Sequence, residues 1–223
     1  MTEITEHLRE IVERVASATR LAEHATTVRI VAVSKQKTST EVAEAFRAGQ
    51  REFGESYVQE AALKIDALRD LDIDWHFIGA LQTNKTRLVA EKFQWVHTVD
   101  RVKIAARLND QRPHFAPPLN VLIQVNQAHE AQKSGAATDD VPALARAIAA
   151  LPRLKLRGLM AIPPAAADPT PYFRALASLQ ARTRGEGFAL DTLSMGMSAD
   201  FEKAIAAGSN CIRIGTAIFG PRA

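Results

Sequence analysis

The sequence predicts an α/β protein: a single (β/α)8 barrel of the TIM type, with an extra helix at its N-terminus. Two observations carry this. Short β-branched or apolar runs alternate eight times with stretches whose apolar residues recur at three- and four-residue spacing, and no linker or composition break divides the series. Buried parallel strands read as near-continuous apolar runs, and helices packed over them as one apolar stripe. The 223 residues suit one barrel of ordinary length, spanning 1–223 as one domain. An open doubly wound sheet would place a GxGxxG turn after its first strand, and none stands there.

The elements follow in order. Ile4, Leu8, Ile11, Val15 and Leu21 mark an amphipathic helix from Thr2 to about His24. Arg29 to Lys35 is the first strand. Thr38-Ser39-Thr40 offers cap hydroxyls to a helix ending at Ala48, with Gly49 as its left-handed stop. The second strand covers Gln50 to Phe53 and the next helix Tyr57 to about Leu71. Trp75–Gly79 and Trp95–Val99 are strands, each followed by a helix, Asn84 to Lys92 and Arg101 to Asp110. After Pro117-Pro118 come a strand from Leu119 to Val125, a loop with Lys133, and a helix over Asp139 to Leu151. Leu154 to Met160, Leu190 to Met195 and Cys211 to Ile214 complete the strands; Ser198 is placed as N-cap of the helix that Gly208 closes.

Composition narrows the function. The net charge of +3 is spread along the chain and aromatics are 6%, so neither a basic tract nor a stacking platform for nucleic acid is present. Cys211 is the only cysteine, which excludes an internal disulfide and suits a reducing, cytoplasmic setting. The N-terminus lacks a basic, apolar leader and no run of about 18 apolar residues occurs, so no membrane association is expected.

In a barrel the site lies where strands end and βα loops begin. That rule collects Lys35, Gly54-Glu55-Ser56, His76, Asn126, Met160, Met195-Gly196-Met197-Ser198 and Gly215-Thr216. A lysine at the end of a buried strand either marks where the strand surfaces or acts as an amine, because desolvating an ammonium is costly. Barrels often hold phosphate with the loops after strands seven and eight, and Gly196, Ser198, Gly215 and Thr216 fall there. An amine facing a phosphate cradle suits a carbonyl-bearing phosphorylated ligand such as pyridoxal 5′-phosphate (PLP). Arg213, two residues before Gly215, shares its inward parity. His76, His97 and Cys211 lack metal-ligand spacing and read as core positions, while Glu55 is a base, a cap or a salt-bridge partner.

The segments VAVSK, FGESYVQE, WHFIGALQTNK, GLMAIP, LSMGMSADFEKAIAAGS and IRIGTAIFG resemble, in order over nearly the whole chain, the pyridoxal phosphate homeostasis proteins of the alanine racemase N-terminal-like family. The resemblance implies that Lys35 forms the Schiff base, that Ser198, Gly215 and Thr216 bind phosphate, and that Arg213 lies near the pyridine nitrogen. Ser56 and Met195 complete the expected cofactor-contacting set, with Ser56 standing where the family often has asparagine. It further implies a carrier or buffer of PLP in vitamin B6 and amino/keto-acid homeostasis, without robust catalysis, monomeric, and with apo PLP enzymes as recipients. The related racemases add an all-β domain that supplies a tyrosine; this chain ends at Ala223, and its only tyrosines are Tyr57 and Tyr172. The competing expectations are a PLP-dependent racemase or lyase of low activity, and a phosphosugar barrel enzyme that uses Lys35 without PLP.

Overall fold

A computed structural model describes residues 2–22, 27–128, 134–164 and 168–221. Eight parallel strands close into a barrel, each paired with the next in sequence and β8 paired back onto β1. The strands are β1 (Arg29–Val33), β2 (Glu52–Glu55), β3 (Asp74–Phe77), β4 (Trp95–Val99), β5 (Leu119–Gln124), β6 (Leu154–Met160), β7 (Thr192–Met197) and β8 (Cys211–Ile214). The helices are α1 (Glu3–Leu21), α2 (Ser39–Arg47), α3 (Val58–Ala67), α4 (Thr86–Lys92), α5 (Val102–Gln111), α6 (Val141–Ala149), α7 (Thr170–Gly185), α8 (Phe201–Ala206) and α9 (Thr216–Phe219). The predicted (β/α)8 barrel with an added N-terminal helix is therefore the observed architecture. Among the described residues no helix is long and apolar enough to cross a membrane.

Local chemistry explains the boundaries. Thr38 caps α2 in a reciprocal box with Glu41: the Thr38 Oγ1 accepts from Glu41 N–H, and the Glu41 carboxylate accepts from Thr38 N–H. Gly49, at φ +106°, takes the left-handed step after α2. The second strand begins at Glu52, two residues later than its apolar pattern indicates, because the Gln50 side chain donates to the carbonyls of Ile30 and Glu52 and occupies the strand's edge. The seventh strand is also displaced, to Thr192–Met197, with a register shift between Ser194 and Met197.

Apolar packing divides into two regions. The larger lies between the outer face of the sheet and the helices, and α1 joins it through Leu8, Ile11 and Val15 while packing on α2, α8 and α9. The smaller lies inside the barrel, where Trp95, Leu122 and Met160 form a separate cluster. The rest of the interior is unusually polar. The Arg29 guanidinium lies over the Trp95 ring, 4.3 Å from its centroid, and that of Arg157 at 4.8 Å.

Candidate functional site

The turn after β1 carries Lys35, and α3 holds that turn from below. Lys64, on α3, is 4% exposed along its side chain and donates to the Ser34 carbonyl (2.8 Å), Glu55 Oε1 (2.6 Å) and Glu60 Oε1 (3.0 Å). Ser34 Oγ donates to the same Glu55 oxygen (2.7 Å), and Glu60 Oε1 accepts from the Gln36 N–H (2.6 Å). Gln36 stands in the left-handed region at φ +62° and is fixed there by that bond. The residues on both sides of Lys35 are thus anchored to buried charges. Burial pushes the Glu55 carboxyl up, and the Lys64 ammonium opposes the shift.

Lys35 is half-buried and forms part of two cavities at the C-terminal ends of the strands. One is shared with Val33, Lys37, Gly215, Thr216 and Phe219, from the junctions of β1 and β8. The other is shared with Ser56, Tyr57, Gly79, Gln82 and Lys85, from the junctions of β2 and β3. Lys37 Nζ donates to the Phe219 carbonyl (2.8 Å), tying the β1 turn to the end of α9. Gly79 is required by close approach: a Cβ there would lie 2.2 Å from the Ser56 carbonyl oxygen, so only glycine lets the Ser56 backbone come so near. Three ammonium groups, Lys35, Lys37 and Lys85, border these two cavities and make the mouth attractive to an anion.

Lys35, Ser56, Gly215 and Thr216 are therefore brought to one rim. Arg213 is buried below it, where Nη1 donates to Ser194 Oγ (2.5 Å) and Nη2 to the Ala161 carbonyl (3.0 Å). Two expectations need correction. Ser198 caps no helix: β7 runs on through Met197, Ser198 to Asp200 form a turn closed by Asp200 Oδ1 on the Met197 N–H, and α8 begins at Phe201. Met195 is 0% exposed and belongs to the outer apolar core. The side chain of the seventh strand with a polar role inside the barrel is Ser194. Lys133 lies outside the described residues. His76 and His97 are hydrogen-bonded core residues, 2.9 Å apart, and among the described residues no cluster of three or more His, Cys, Asp or Glu could hold a metal ion.

The clamp from Lys64 and Glu60 was not legible as part of a site. A Glu and a Lys four apart on a helix have the spacing of a solvated surface pair, and only their shared proximity to Ser34 and Gln36 distinguishes them.

The family described as "Alanine racemase, N-terminal domain" matches residues 7–223. A pyridoxal phosphate homeostasis protein of Pseudomonas aeruginosa is 52% identical over 223 residues, covering 100% of this chain and 97% of that one. A protein of the same name from Escherichia coli K12 is 50% identical over 229 residues, covering 100% of this chain and 98% of the other. Among solved structures, PipY of Synechococcus elongatus PCC7942 with PLP bound superposes with a TM-score of 0.86 at 33% identity, covering 97% of this chain and 100% of that one. Alanine racemase of Corynebacterium glutamicum, at 17% identity and a TM-score of 0.71, shares the fold over 60% of its length.

Proposed function

The chain belongs to the alanine racemase N-terminal domain family, and from that premise we propose that it binds PLP covalently through Lys35 and carries or buffers it, without sustained turnover of its own. The observation that carries this reading is the shared wall of one cavity: Lys35 stands with Gly215 and Thr216, so an amine and a set of phosphate donors face the same space. The residues fit the group. PLP supplies an aldehyde that condenses with a neutral amine and releases water. The Thr216 hydroxyl and the backbone N–H groups of the last β/α junction would hold its phosphate, with Ser198 of the preceding turn as a further donor, and Ser56 lines the other cavity that Lys35 borders. Lys37 and Lys85 add charge complementarity. The PLP-bound PipY structure and the homeostasis proteins of similar sequence support the same assignment.

The carrier reading rests on the relatives named as homeostasis proteins, and Arg213 is compatible with it: a guanidinium only donates hydrogen bonds and keeps its proton, so a ring nitrogen facing it would stay unprotonated and be a weaker electron sink than one beside a carboxylate. We assign residues 1–223 to one ligand-binding domain, working as a monomer in the cytoplasm and passing PLP to apo enzymes that use it.

The test is spectroscopic. Protein purified with PLP should be yellow, borohydride should bleach the band, and mass spectrometry should find the reduced adduct on Lys35. Lys35→Ala should lose all three. A colourless protein that takes no label would overturn the PLP reading, while sustained amino-acid racemisation abolished by Lys35→Ala would overturn the carrier part alone.

A further inference from the structure

Inside the barrel a chain of polar side chains runs away from Arg213. Arg213 Nη1 is 2.5 Å from Ser194 Oγ, and Ser194 Oγ is 3.0 Å from His97 Nδ1. His97 Nε2 is 2.9 Å from His76 Nδ1, and His76 Nε2 faces Glu52 Oε2 at 3.5 Å. The last link is a close approach and not a hydrogen bond: both of its atoms are buried and neither has a hydrogen-bond partner. The His76 ring is held flat against Trp95, 5.4 Å between centroids and 8° from parallel. The chain thus passes from β8 through β7, β4 and β3 to the first residue of β2. There Glu52 borders a cavity at the N-terminal ends of the strands, with Arg29, Arg51 and Asn210.

The two ends fix its direction. A guanidinium can only donate and an ionised carboxylate can only accept. With Glu52 ionised, each hydrogen therefore points from mouth to base: Arg213 to Ser194, Ser194 to His97 Nδ1, His97 Nε2–H to His76 Nδ1, and His76 Nε2–H to Glu52. When Glu52 takes one proton from water, its O–H becomes a donor to His76 Nε2. Each ring then carries its hydrogen on Nδ1 in place of Nε2, and His97 donates to Ser194. Ser194 keeps one hydrogen throughout, each ring keeps one, and the added proton resides on Glu52. In this second state Ser194 accepts from both His97 and Arg213, one on each lone pair, and its own hydrogen no longer has His97 as acceptor.

We propose that Ser194, His97, His76 and Glu52 are positioning residues for Arg213, forming a relay whose hydrogen-bond polarity reverses when Glu52 takes up a proton. The relay does not depend on what binds at the mouth. The charged and titratable groups facing Glu52 are Arg29 of β1 (3.1 Å), Asp74 and His76 of β3, and Cys211 of β8. Burial dominates among these influences and pushes the Glu52 carboxyl up to about 7. Burial also holds both imidazoles well below their ordinary value, with Arg29 adding to the effect on each and Arg213 on His97. Both rings accordingly stay neutral while Glu52 titrates.

Long-range 1H–15N spectra of the 15N-labelled full chain separate the two ring tautomers, with His76→Gln and His97→Gln for assignment. At about pH 8.5 both rings should carry hydrogen on Nε2. As the pH falls they should move together to the Nδ1–H form with one midpoint near 7, and without becoming imidazolium. Glu52→Gln, whose amide can donate to His76, should hold the Nδ1–H form in both rings at every pH. Rings that keep one tautomer through the titration, or that protonate independently to imidazolium, would overturn the relay. If Glu52→Gln does not fold, the wild-type titration decides alone.

Discussion

Lys64→Met removes the ammonium beneath the Lys35 turn and keeps an unbranched stem of similar length. The Lys64 and Glu55 side chains are 4% and 0% exposed, so the variant leaves a carboxylate without its cation where water does not reach. Breaking one half of such a pair costs about 3–5 kcal/mol, and the Ser34 carbonyl loses a donor worth about 1 kcal/mol more. For a chain of this size 1 kcal/mol moves Tm by about 2–4 °C, so a total of about 4–6 kcal/mol gives an expected fall of roughly 8–24 °C. The effect has a pH signature. Burial already raises the Glu55 carboxyl above its ordinary 4.5, and losing Lys64 raises it further. A carboxyl raised in the folded state contributes stability below its unfolded value that is lost as pH climbs through the folded one. The gap between wild type and variant should therefore widen from about pH 5 to pH 8. Urea denaturation at both values measures it, and the weakened turn should also lower PLP affinity. A loss under about 1 kcal/mol at pH 8, or a gap that does not grow with pH, would refute the buried-pair account.

Gly79→Ala places a Cβ 2.2 Å from the Ser56 carbonyl oxygen; the two backbones must separate, at a cost of about 1–3 kcal/mol in a denaturant melt. The same variant should loosen PLP binding, because Ser56 lines the cavity that Lys35 shares; unchanged stability would show that this approach is not required. Cys211 is 0% exposed and its thiol is pushed up to about 11 by burial. A disulfide reagent at about pH 8 should leave it unmodified in the native protein and label it fully in urea; rapid labelling without urea would contradict the packing of β8.

The limits of sequence reading fall along a physical line. Element order and barrel class were legible because strand and helix periods are local properties, and the rim residues Lys35, Ser56, Gly215 and Thr216 followed from one rule about where strands end. What failed was chemistry whose meaning depends on a partner from another element. Ser198 has the composition of a cap, yet β7 extends through Met197 and Asp200 closes the turn, so the helix begins too late for it. His76 and His97 lie 21 residues apart on neighbouring strands, and nothing in their spacing says that they point at each other or that Ser194 and Glu52 lie beyond them. Their lack of metal-ligand spacing reads them as core positions, but whether an inward polar group meets a partner across a barrel is set by stagger between strands, which includes register shifts at Val96/Val99 and Ser194/Met197. The residues that anchor the Lys35 turn and those that contact Arg213 were for that reason the least visible in the chain.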